Sequence, residues 1–366
     1  MTNACHYDLY ACAPDASQRK LLSAALADDP TALTAWRSWR ESEDIENIDS
    51  ASFRLLPLIY LRLKVLAPDD PLLSRLKIVY RHTWFKNQLL VNHTQQAVDH
   101  LQQAGIETML LKGGALVITS YADPGARHMN DMDLMVRPGD FQRAMQLLAA
   151  SGWQIQGTTA RRMMTARRWG FVHGCGFKLG EAELDLHAQL SRFVWQDDAL
   201  VWGSSRLVEW AKREIRVLSP TLSLYHTCIH GVRWSYATLT WIPDALTLLK
   251  QEHHTIDWAQ LLHVARQNRT VCQLQNALTY LECEWQAAIP ASFLAQLQAT
   301  PTSWVERSEY RALAEKPERG PVQLARRLWL RSCRFRQGKS EARGPIRLSP
   351  VAWLSYLALY NFAPKD

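Results

Sequence analysis

Two aspartates stand one residue apart in the stretch RHMNDMDLMVRP, residues 127–138. Asp131 and Asp133 interrupt an apolar run that otherwise has the pattern of a buried strand. Because strand side chains alternate between faces, both carboxylates are predicted to point the same way, while Met132 and Leu134 pack inside. Carboxylates this close repel each other and raise each other's pKa, a conflict that a divalent cation removes.

A further carboxylate is predicted on a second alternating strand, ELDLH, residues 183–187. Asp185 lies on the face opposite the two leucines, and it approaches Asp131 and Asp133 if the two strands are neighbours. Three carboxylates around two metal ions suit in-line phosphoryl or nucleotidyl displacement. For an isolated DxD, solvated acids at a strand end are the alternative interpretation, with at least equal weight.

Upstream of the aspartates, the stretch LLKGG, residues 110–114, places a lysine and two glycines between a predicted strand and a predicted helix. Gly113 and Gly114 let backbone N–H groups approach phosphate, and a helix start favours anions. The stretch is not a P-loop, because GxxxxGK[ST] is absent. Arg127 has two open roles, a bidentate contact to phosphate or an ion pair with a nearby acid.

The elements that position these residues are predicted to be a small mixed β-sheet between two helical regions. Apolar spacing of three and four predicts helices through the first hundred residues, ending near Gly105. A hairpin turns at Gly180, and helices resume at Ser219 and Pro220, an N-cap and first-turn pair. The expected fold class is α+β, with an N-terminal helical region at 1–104, a mixed core at 105–218, and a C-terminal helical region with a basic segment at 219–366.

Composition sets the limits for function. The chain has 366 residues, 47% of them hydrophobic, and a net charge of +7, which is compatible with nucleic acid, nucleotide or membrane-surface partners. Seven scattered cysteines without a CxxC suit reduced thiols. No apolar stretch reaches the roughly 18 residues of a membrane span, and the start lacks a signal-peptide pattern. We therefore expect a cytoplasmic protein without membrane insertion.

For several other residues, both a structural and a functional interpretation are open. His226 and His230 have a zinc-binding spacing, but Thr227 replaces the glutamate of HExxH, so packing under the site is favoured. Asp244 is expected at the N-terminus of a helix. Basic stretches are interpreted as solvated helix faces, with binding of a triphosphate, an acceptor, RNA or an acidic peptide as the alternative; they are Arg161, Arg162, Arg167, Arg168 and the segment 324–348.

The motifs together resemble a family. LLKGGAL (110–116), Arg127, DMDLMV (131–136) and ELDLH (183–187) are similar to the motifs of uncharacterised bacterial nucleotidyltransferases of the DNA polymerase β-like superfamily. The resemblance covers roughly residues 50–250. It implies that residues 105–218 are a nucleotidyltransferase core in which Asp131, Asp133 and Asp185 bind metal, with Asp185 also helping to deprotonate the acceptor.

The resemblance implies a reaction as well. An NMP group would pass from an NTP, with ATP as the expected nucleotide, to a hydroxyl acceptor, with Mg²⁺ or Mn²⁺ as cofactor and pyrophosphate as product. The acceptor is left open among a small molecule, a protein or peptide side chain, and an RNA end. The implied nucleotide-binding residues are Lys112, Gly113, Gly114 and Arg127.

One departure from the wider superfamily bears on this function. Most members carry Gly-Ser where this chain has Gly113-Gly114, so a serine contact to phosphate is missing. Either Lys112 compensates or the nucleotide binds differently. The alternative function is a non-catalytic nucleotide-binding or scaffold protein on the same fold.

Overall fold

A central sheet lies between helices that precede and follow it along the chain. The computed structural model describes residues 6–156, 174–190, 198–210, 213–233 and 239–316, together with Ala325 and Trp329. Within this part of the chain the sheet has seven strands of mixed direction. The α+β fold class predicted from the sequence is confirmed.

The strands are short, and the four residues of the first and the five of the second are all buried. Both carry apolar runs, as expected for strands covered on both faces. The strands are β1 (Thr108–Leu111), β2 (Met132–Val136), β3 (Gln154–Ile155), β4 (Gly174–Leu179), β5 (Ala182–His187), β6 (Arg206–Trp210) and β7 (Arg213–Val217).

Their order across the sheet is β3-β4-β5-β2-β1-β7-β6. The central strand β2 pairs antiparallel with β1 and parallel with β5. The predicted hairpin is confirmed, because β4 pairs antiparallel with β5 and Gly180 takes a φ of +59° between them. That left-handed backbone conformation favours glycine.

The N-terminal part is helical, as predicted. Asp15 begins the first helix with a capping box, in which its side chain accepts from the backbone of Gln18 and the Gln18 side chain accepts from the backbone of Asp15. The last helix spans 31 residues and ends at Gln103, ahead of Gly105 with a φ of +74°. The helices are α1 (Ala16–Leu26), α2 (Asp29–Ser42), α3 (Ser50–Phe53), α4 (Leu56–Leu66) and α5 (Leu73–Gln103).

Helices also accompany and follow the sheet. The predicted N-cap is confirmed at Ser219, whose hydroxyl accepts from the backbone N–H of Leu222 at 3.3 Å. The helices within the sheet region are α6 (Lys112–Thr119), α7 (Phe141–Ala150) and α8 (Asp198–Gly203). Those that follow are α9 (Pro220–Gly231), α10 (Trp241–Glu252), α11 (Trp258–Gln267), α12 (Val271–Trp285), α13 (Ala291–Ala299) and α14 (Trp304–Ala314).

The helices before and after the sheet share a hydrophobic core. One cluster of buried side chains includes Trp36 and Trp39 of α2 together with Leu278 of α12. Polar contacts join the same regions, since Tyr310 Oη donates to the carbonyl of Asp8 at 2.6 Å. A second cluster fills the space between the sheet, α5 and α7. The helical regions are therefore packed on each other as well as on the sheet.

Two sequence expectations concern the environment of the chain. Of the described cysteines, Cys12, Cys175, Cys228 and Cys272 are free and buried. Cys283 is disulfide-bonded, so the expectation of reduced thiols is wrong at that position. Among the described helices none combines the length and the apolar character that crossing a membrane requires.

Candidate nucleotide and metal site

A cavity of about 530 Å³ opens where β2 and β5 meet the helices. Asp131, Asp133 and Asp185 all line it, so the structure brings the three predicted carboxylates to one place. A cavity of this volume is within the range that holds small ligands and cofactors. Other lining residues come from the N-terminal helical region, such as Arg54, and from the C-terminal helical region, such as His226.

Parallel pairing of β2 with β5 aligns the two central carboxylates. Asp133 and Asp185 are directly opposite each other in the register. Opposed residues on neighbouring strands project to the same face of a sheet. Asp133 and Asp185 therefore point to the same face, as the alternation in ELDLH indicates for Asp185. Asp131 lies just before the first residue of β2 and is half-buried. The strands are therefore neighbours, which is the condition under which the sequence placed Asp185 near Asp131 and Asp133.

Asp133 is held by two side chains on one carboxylate oxygen. Lys112 Nζ lies 2.5 Å and His187 Nε2 lies 2.8 Å from Asp133 Oδ1. Burial opposes ionisation of this carboxyl, but the charge of Lys112 and the hydrogen bond of His187 bring its pKa below the ordinary range. The expected rise in pKa is therefore not found at Asp133, because Lys112 and His187 outweigh the effect of burial.

Asp131 has the raised pKa that the sequence predicted, and Asp185 is shifted in the same direction. Burial, followed by the charges of Asp133 and Asp185, raises the pKa of Asp131 to about 7. Burial and the charge of Asp133 likewise raise the pKa of Asp185. The positive charge of the protein near these two carboxyls, including that of Lys112, is therefore too small to offset their burial and mutual repulsion.

Lys112 reaches Asp133 from an unusual backbone conformation. It is the first residue of α6, directly after β1, and has a φ of +47°. This left-handed conformation costs about 1–2 kcal/mol in a residue with a side chain. Burial disfavours the charged ammonium, but Asp133 raises the pKa of Lys112, so the cation persists at the bottom of the cavity.

The donor set fits a divalent metal ion. Ligand atoms of Asp133, Asp185 and His187 lie within 4.8 Å of one another. Both hydrogen bonds to Asp133 use Oδ1, and no described residue donates to its Oδ2. Carboxylate oxygens with raised pKa values are the ligands that hard cations stabilise in ionised form. Since Asp131 lies beside this group, the cluster could hold a cation together with phosphate oxygens.

The loop that carries Asp131 is fastened to α5. Asn87 Nδ2 donates to the carbonyls of Pro124 and Arg127 at 2.6 and 2.8 Å. Lys86 Nζ donates to Asn130 Oδ1 at 3.1 Å. These bonds run from a long helix to the residues immediately before β2, and they give Asp131 a defined position at the cavity.

Arg127 forms a buried ion pair. Its Nε and Nη2 donate to the two carboxylate oxygens of Asp244 at 2.8 and 2.7 Å, and Tyr121 Oη donates to Asp244 Oδ1 at 2.8 Å. The side chains of Arg127 and Asp244 are 13% and 5% exposed. Of the two roles open at the sequence level, the structure shows the pair with an acid. Asp244 lies in the first turn of α10, as predicted, but its contact with Arg127 carried no sequence signal.

The two glycines have packing roles. A Cβ at Gly113 would lie 2.0 Å from Arg127 Nη1, and one at Gly114 would lie 2.8 Å from Met132 Cε. Gly113 lines the cavity, whereas Gly114 faces Met132 and Leu110. At each position a Cβ would displace the end of a long side chain, that of Arg127 or that of Met132. Contact of the two glycines with phosphate stays a prediction.

His226 and His230 line the cavity as neutral side chains. Burial, with the charge of Lys112, lowers the pKa of His226 to about 3 and also lowers that of His230. Their rings contact each other at a centroid distance of 5.6 Å. Packing under the site, the favoured interpretation, agrees with this geometry.

Some sequence predictions fall outside the described residues. They concern Arg161, Arg162, Arg167, Arg168 and, apart from Ala325 and Trp329, the basic segment 324–348. Conversely, sequence reasoning gave no role to Arg54, His128 or His187. Only His187 had a signal, because it alternates with Asp185 on the same strand.

A strand-lysine-helix turn beside paired carboxylates defines a class of site suited to phosphate groups and cations. Residues 50–285 match the family described as uncharacterised nucleotidyltransferases, and the chain belongs to this family. An antigenic nucleotidyltransferase-like protein from Paracoccidioides brasiliensis is a similar solved structure, with 13% identity, a TM-score of 0.33, and coverage of 60% of this chain and 94% of that one. No curated protein matches the chain.

Proposed function

We propose that the protein transfers an NMP group from an NTP, with ATP as the expected nucleotide, to a hydroxyl acceptor and releases pyrophosphate. The observation that carries the proposal is the alignment of Asp133 with Asp185 across parallel strands, with Asp131 at the same cavity. Family membership supports the reaction class. The motifs around these residues support a place in the DNA polymerase β-like superfamily, among its bacterial members.

Asp131, Asp133 and Asp185 would hold Mg²⁺ or Mn²⁺. The metal, when bound, would neutralise charge on the phosphates and bring the reacting oxygens into line. Lys112 and His187 hold Asp133 ionised and fix its Oδ1, which leaves Oδ2 for the ligand side. Asp185 would accept the proton of the acceptor hydroxyl, a role that its raised pKa favours.

The surroundings extend this proposal. The nucleotide would lie against Lys112, Gly113, Gly114 and Arg127, at the junction of β1 with α6. A cavity of about 530 Å³ accommodates a nucleotide-sized ligand. The acceptor is a small molecule, a protein or peptide side chain, or an RNA end. We place the protein in the cytoplasm, with a nucleotidyltransferase core at 105–218 between helical regions at 1–104 and 219–366.

Binding tests this function before the acceptor is identified. Calorimetric titration should show that Mn²⁺ binds and that an α,β-non-hydrolysable ATP analogue binds more tightly with Mn²⁺ present. Asp185→Asn should weaken Mn²⁺ binding by about 100-fold, in line with the loss of a ligand. The control Asp69→Asn, an exposed carboxylate, should leave it unchanged. Equal Mn²⁺ affinity in wild type and Asp185→Asn would contradict the metal site.

The competing function is a non-catalytic nucleotide-binding or scaffold protein. It is favoured by Gly114, which faces Met132 and brings no hydroxyl to a phosphate. Pyrophosphate release separates the two functions. Wild type supplied with ATP, Mn²⁺ and fractionated small molecules, peptides and RNA should release pyrophosphate with one class of acceptor, and Asp185→Asn should not. Nucleotide binding without release in every fraction would favour the non-catalytic function.

A further inference from the structure

Among the described residues, three cations line the cavity, and one of them is bonded to no acid. Arg54, Lys112 and Arg127 all line it. Lys112 is bonded to Asp133, and Arg127 holds Asp244 with two of its three guanidinium nitrogens. Within the part of the chain that the structure describes, Arg54 has neither a hydrogen bond nor an ion pair. Of the three cations, Arg54 is the one that no described carboxylate bonds directly, and Asp131 acts on it only through the longer-range attraction of its charge.

Arg54 is held in place although its guanidinium is not bonded. It directly follows α3, whose start is fixed by Asp49, since Asp49 Oδ1 accepts from the backbone of Ala51 and Ser52 at 2.9 and 3.1 Å. Phe53 packs edge-on against the ring of His128 at a centroid distance of 5.9 Å. The side chain is half-buried and lines the same cavity as Arg127 and Asp131.

The charges around Arg54 form a positive end of the cavity. Burial and the charge of Arg127 lower the pKa of Arg54, and only Asp131 raises it. At His128 burial, then the charges of Arg54, Lys86 and Arg127, lower the pKa to about 4. A partly desolvated cation beside another cation is unfavourable unless an anion arrives. His128 Nδ1 is also buried with no hydrogen-bond partner among the described residues.

We propose that Arg54 binds the β- and γ-phosphates of the NTP, so that the helical region before the sheet supplies the pyrophosphate-binding residue. This inference rests on the proposed function. An arginine fork suits two phosphate oxygens, and it is pre-organised for them. In the reaction, the acceptor oxygen bonds to the α-phosphorus while the bond from that phosphorus to the bridging oxygen of the β-phosphate breaks.

The electron pair of the broken bond passes to the departing pyrophosphate, and the proton of the acceptor hydroxyl passes to Asp185. Arg54 would stabilise the charge that gathers on the leaving group. The assignment also separates the roles of two arginines. Arg127 keeps Asp244, and therefore α10, attached to the loop. Arg54 remains available for the ligand.

Binding of three probes to Arg54→Gln tests the assignment. The probes are the α,β-non-hydrolysable ATP analogue, inorganic pyrophosphate and AMP, each titrated with Mn²⁺ by calorimetry. The variant should bind the ATP analogue and pyrophosphate about 10- to 100-fold more weakly, as expected for loss of charge-assisted hydrogen bonds. AMP affinity should stay within about twofold of wild type, because AMP lacks the two phosphates.

Two controls accompany the titrations. Arg37→Gln removes an exposed arginine of α2, in the same helical region but away from the cavity, and should change none of the affinities. Arg54→Lys keeps the charge but loses the fork, so its affinities for the ATP analogue and pyrophosphate should lie between those of wild type and Arg54→Gln. If Arg54→Gln does not fold, the affinities of Arg54→Lys test the assignment in its place.

Three results would overturn the inference. Wild-type affinity for pyrophosphate and the ATP analogue in a folded Arg54 variant would remove Arg54 from the triphosphate site and leave the proposed function standing. An equal loss of affinity for AMP would mean that Arg54 contacts a part of the nucleotide other than the β- and γ-phosphates. A wild-type protein that binds neither the ATP analogue nor pyrophosphate would overturn the proposed function and the inference together.

Discussion

The two sides of the cavity are built in different ways. On the sheet side, Asp131 and Asp185 are crowded carboxyls whose pKa values are raised by burial and by their neighbours. On the helical side, Asp244 of α10 accepts two short hydrogen bonds from Arg127 of the loop before β2, so that the two charges satisfy each other. Charges that await a ligand cost the free protein stability, whereas paired charges are part of what holds it together.

Asp133 belongs to both sides of this comparison. It stands in the carboxylate cluster, but Lys112 and His187 bond it and keep its pKa low. Neighbouring acids on one sheet face can therefore have opposite effects on stability. Substitutions that remove one charge at a time distinguish charges needed for the ligand from charges needed for the fold.

The largest expected effect is at Asp244. Asp244→Ala leaves Arg127 and Tyr121 without their acceptor in a buried place, which should lower the free energy of unfolding by about 3–5 kcal/mol. Urea denaturation of the metal-free protein measures it. The control Asp29→Ala breaks the exposed pair with Arg62 and should cost about 1 kcal/mol or less. Equal losses of unfolding free energy in the two variants would contradict the view that the buried pair of Arg127 and Asp244 stabilises the fold more than an exposed pair does.

The next effect contrasts two aspartates on neighbouring strands. Asp133→Asn should lower the free energy of unfolding by about 2–3 kcal/mol, because half-buried Lys112 and buried His187 then lose the carboxylate to which both are bonded. Asp185→Asn should leave it unchanged or raise it, because repulsion with Asp133 is removed. Denaturation in the presence of a chelator measures both. Destabilisation by Asp185→Asn as large as that by Asp133→Asn would show that Asp185 is structural.

A smaller effect tests the turn after β1. Gly114→Ala forces a Cβ against Met132, so we expect a loss of about 1–2 kcal/mol in the free energy of unfolding. Gly139→Ala, where a Cβ meets nothing within 4 Å, is the matched control. A folded Gly114→Ala protein with unchanged stability but weaker binding of the ATP analogue would instead support the phosphate cradle predicted from the sequence.

The smallest effect is a pH dependence at the positive end of the cavity. The pKa of His128 is about 4 in the folded protein against an ordinary value of 6.5, so the unfolded chain binds its proton first as pH falls. Stability from this residue is complete above about pH 7 and is lost progressively toward pH 4. In His128→Gln, the loss of unfolding free energy between pH 7 and pH 4 should be smaller than in wild type by about 1 kcal/mol.

Thermal or urea denaturation of wild type and His128→Gln at pH 7 and pH 4.5 measures the difference. The difference in free energy of unfolding between the two proteins should narrow or reverse at the lower pH. At pH 4.5 the wild type gains a proton at position 128 on unfolding, and His128→Gln does not. A gap that is the same at both values would mean that the cations around His128 do not act on it. It would also argue against a positive end of the cavity around Arg54 and His128.

Local patterns in the sequence determined much of the sheet side. The spacing of Asp131 and Asp133, the alternation around Asp185, the turn at Gly180 and the N-cap at Ser219 are each encoded within a few residues. Strand alternation and turn chemistry are short-range, so they predict which face a side chain takes and where an element begins or ends.

Only the tertiary structure decided how those faces meet. The register that aligns Asp133 with Asp185, the bond of Lys112 to Asp133 rather than Asp131, and the pair of Arg127 with Asp244, 117 residues apart, depend on how whole elements pack. Arg54 reaches the cavity in the same way, through helices that share a core with the C-terminal region. Such contacts leave no local periodicity, because each residue of the pair fits its own helix or loop equally well without the other.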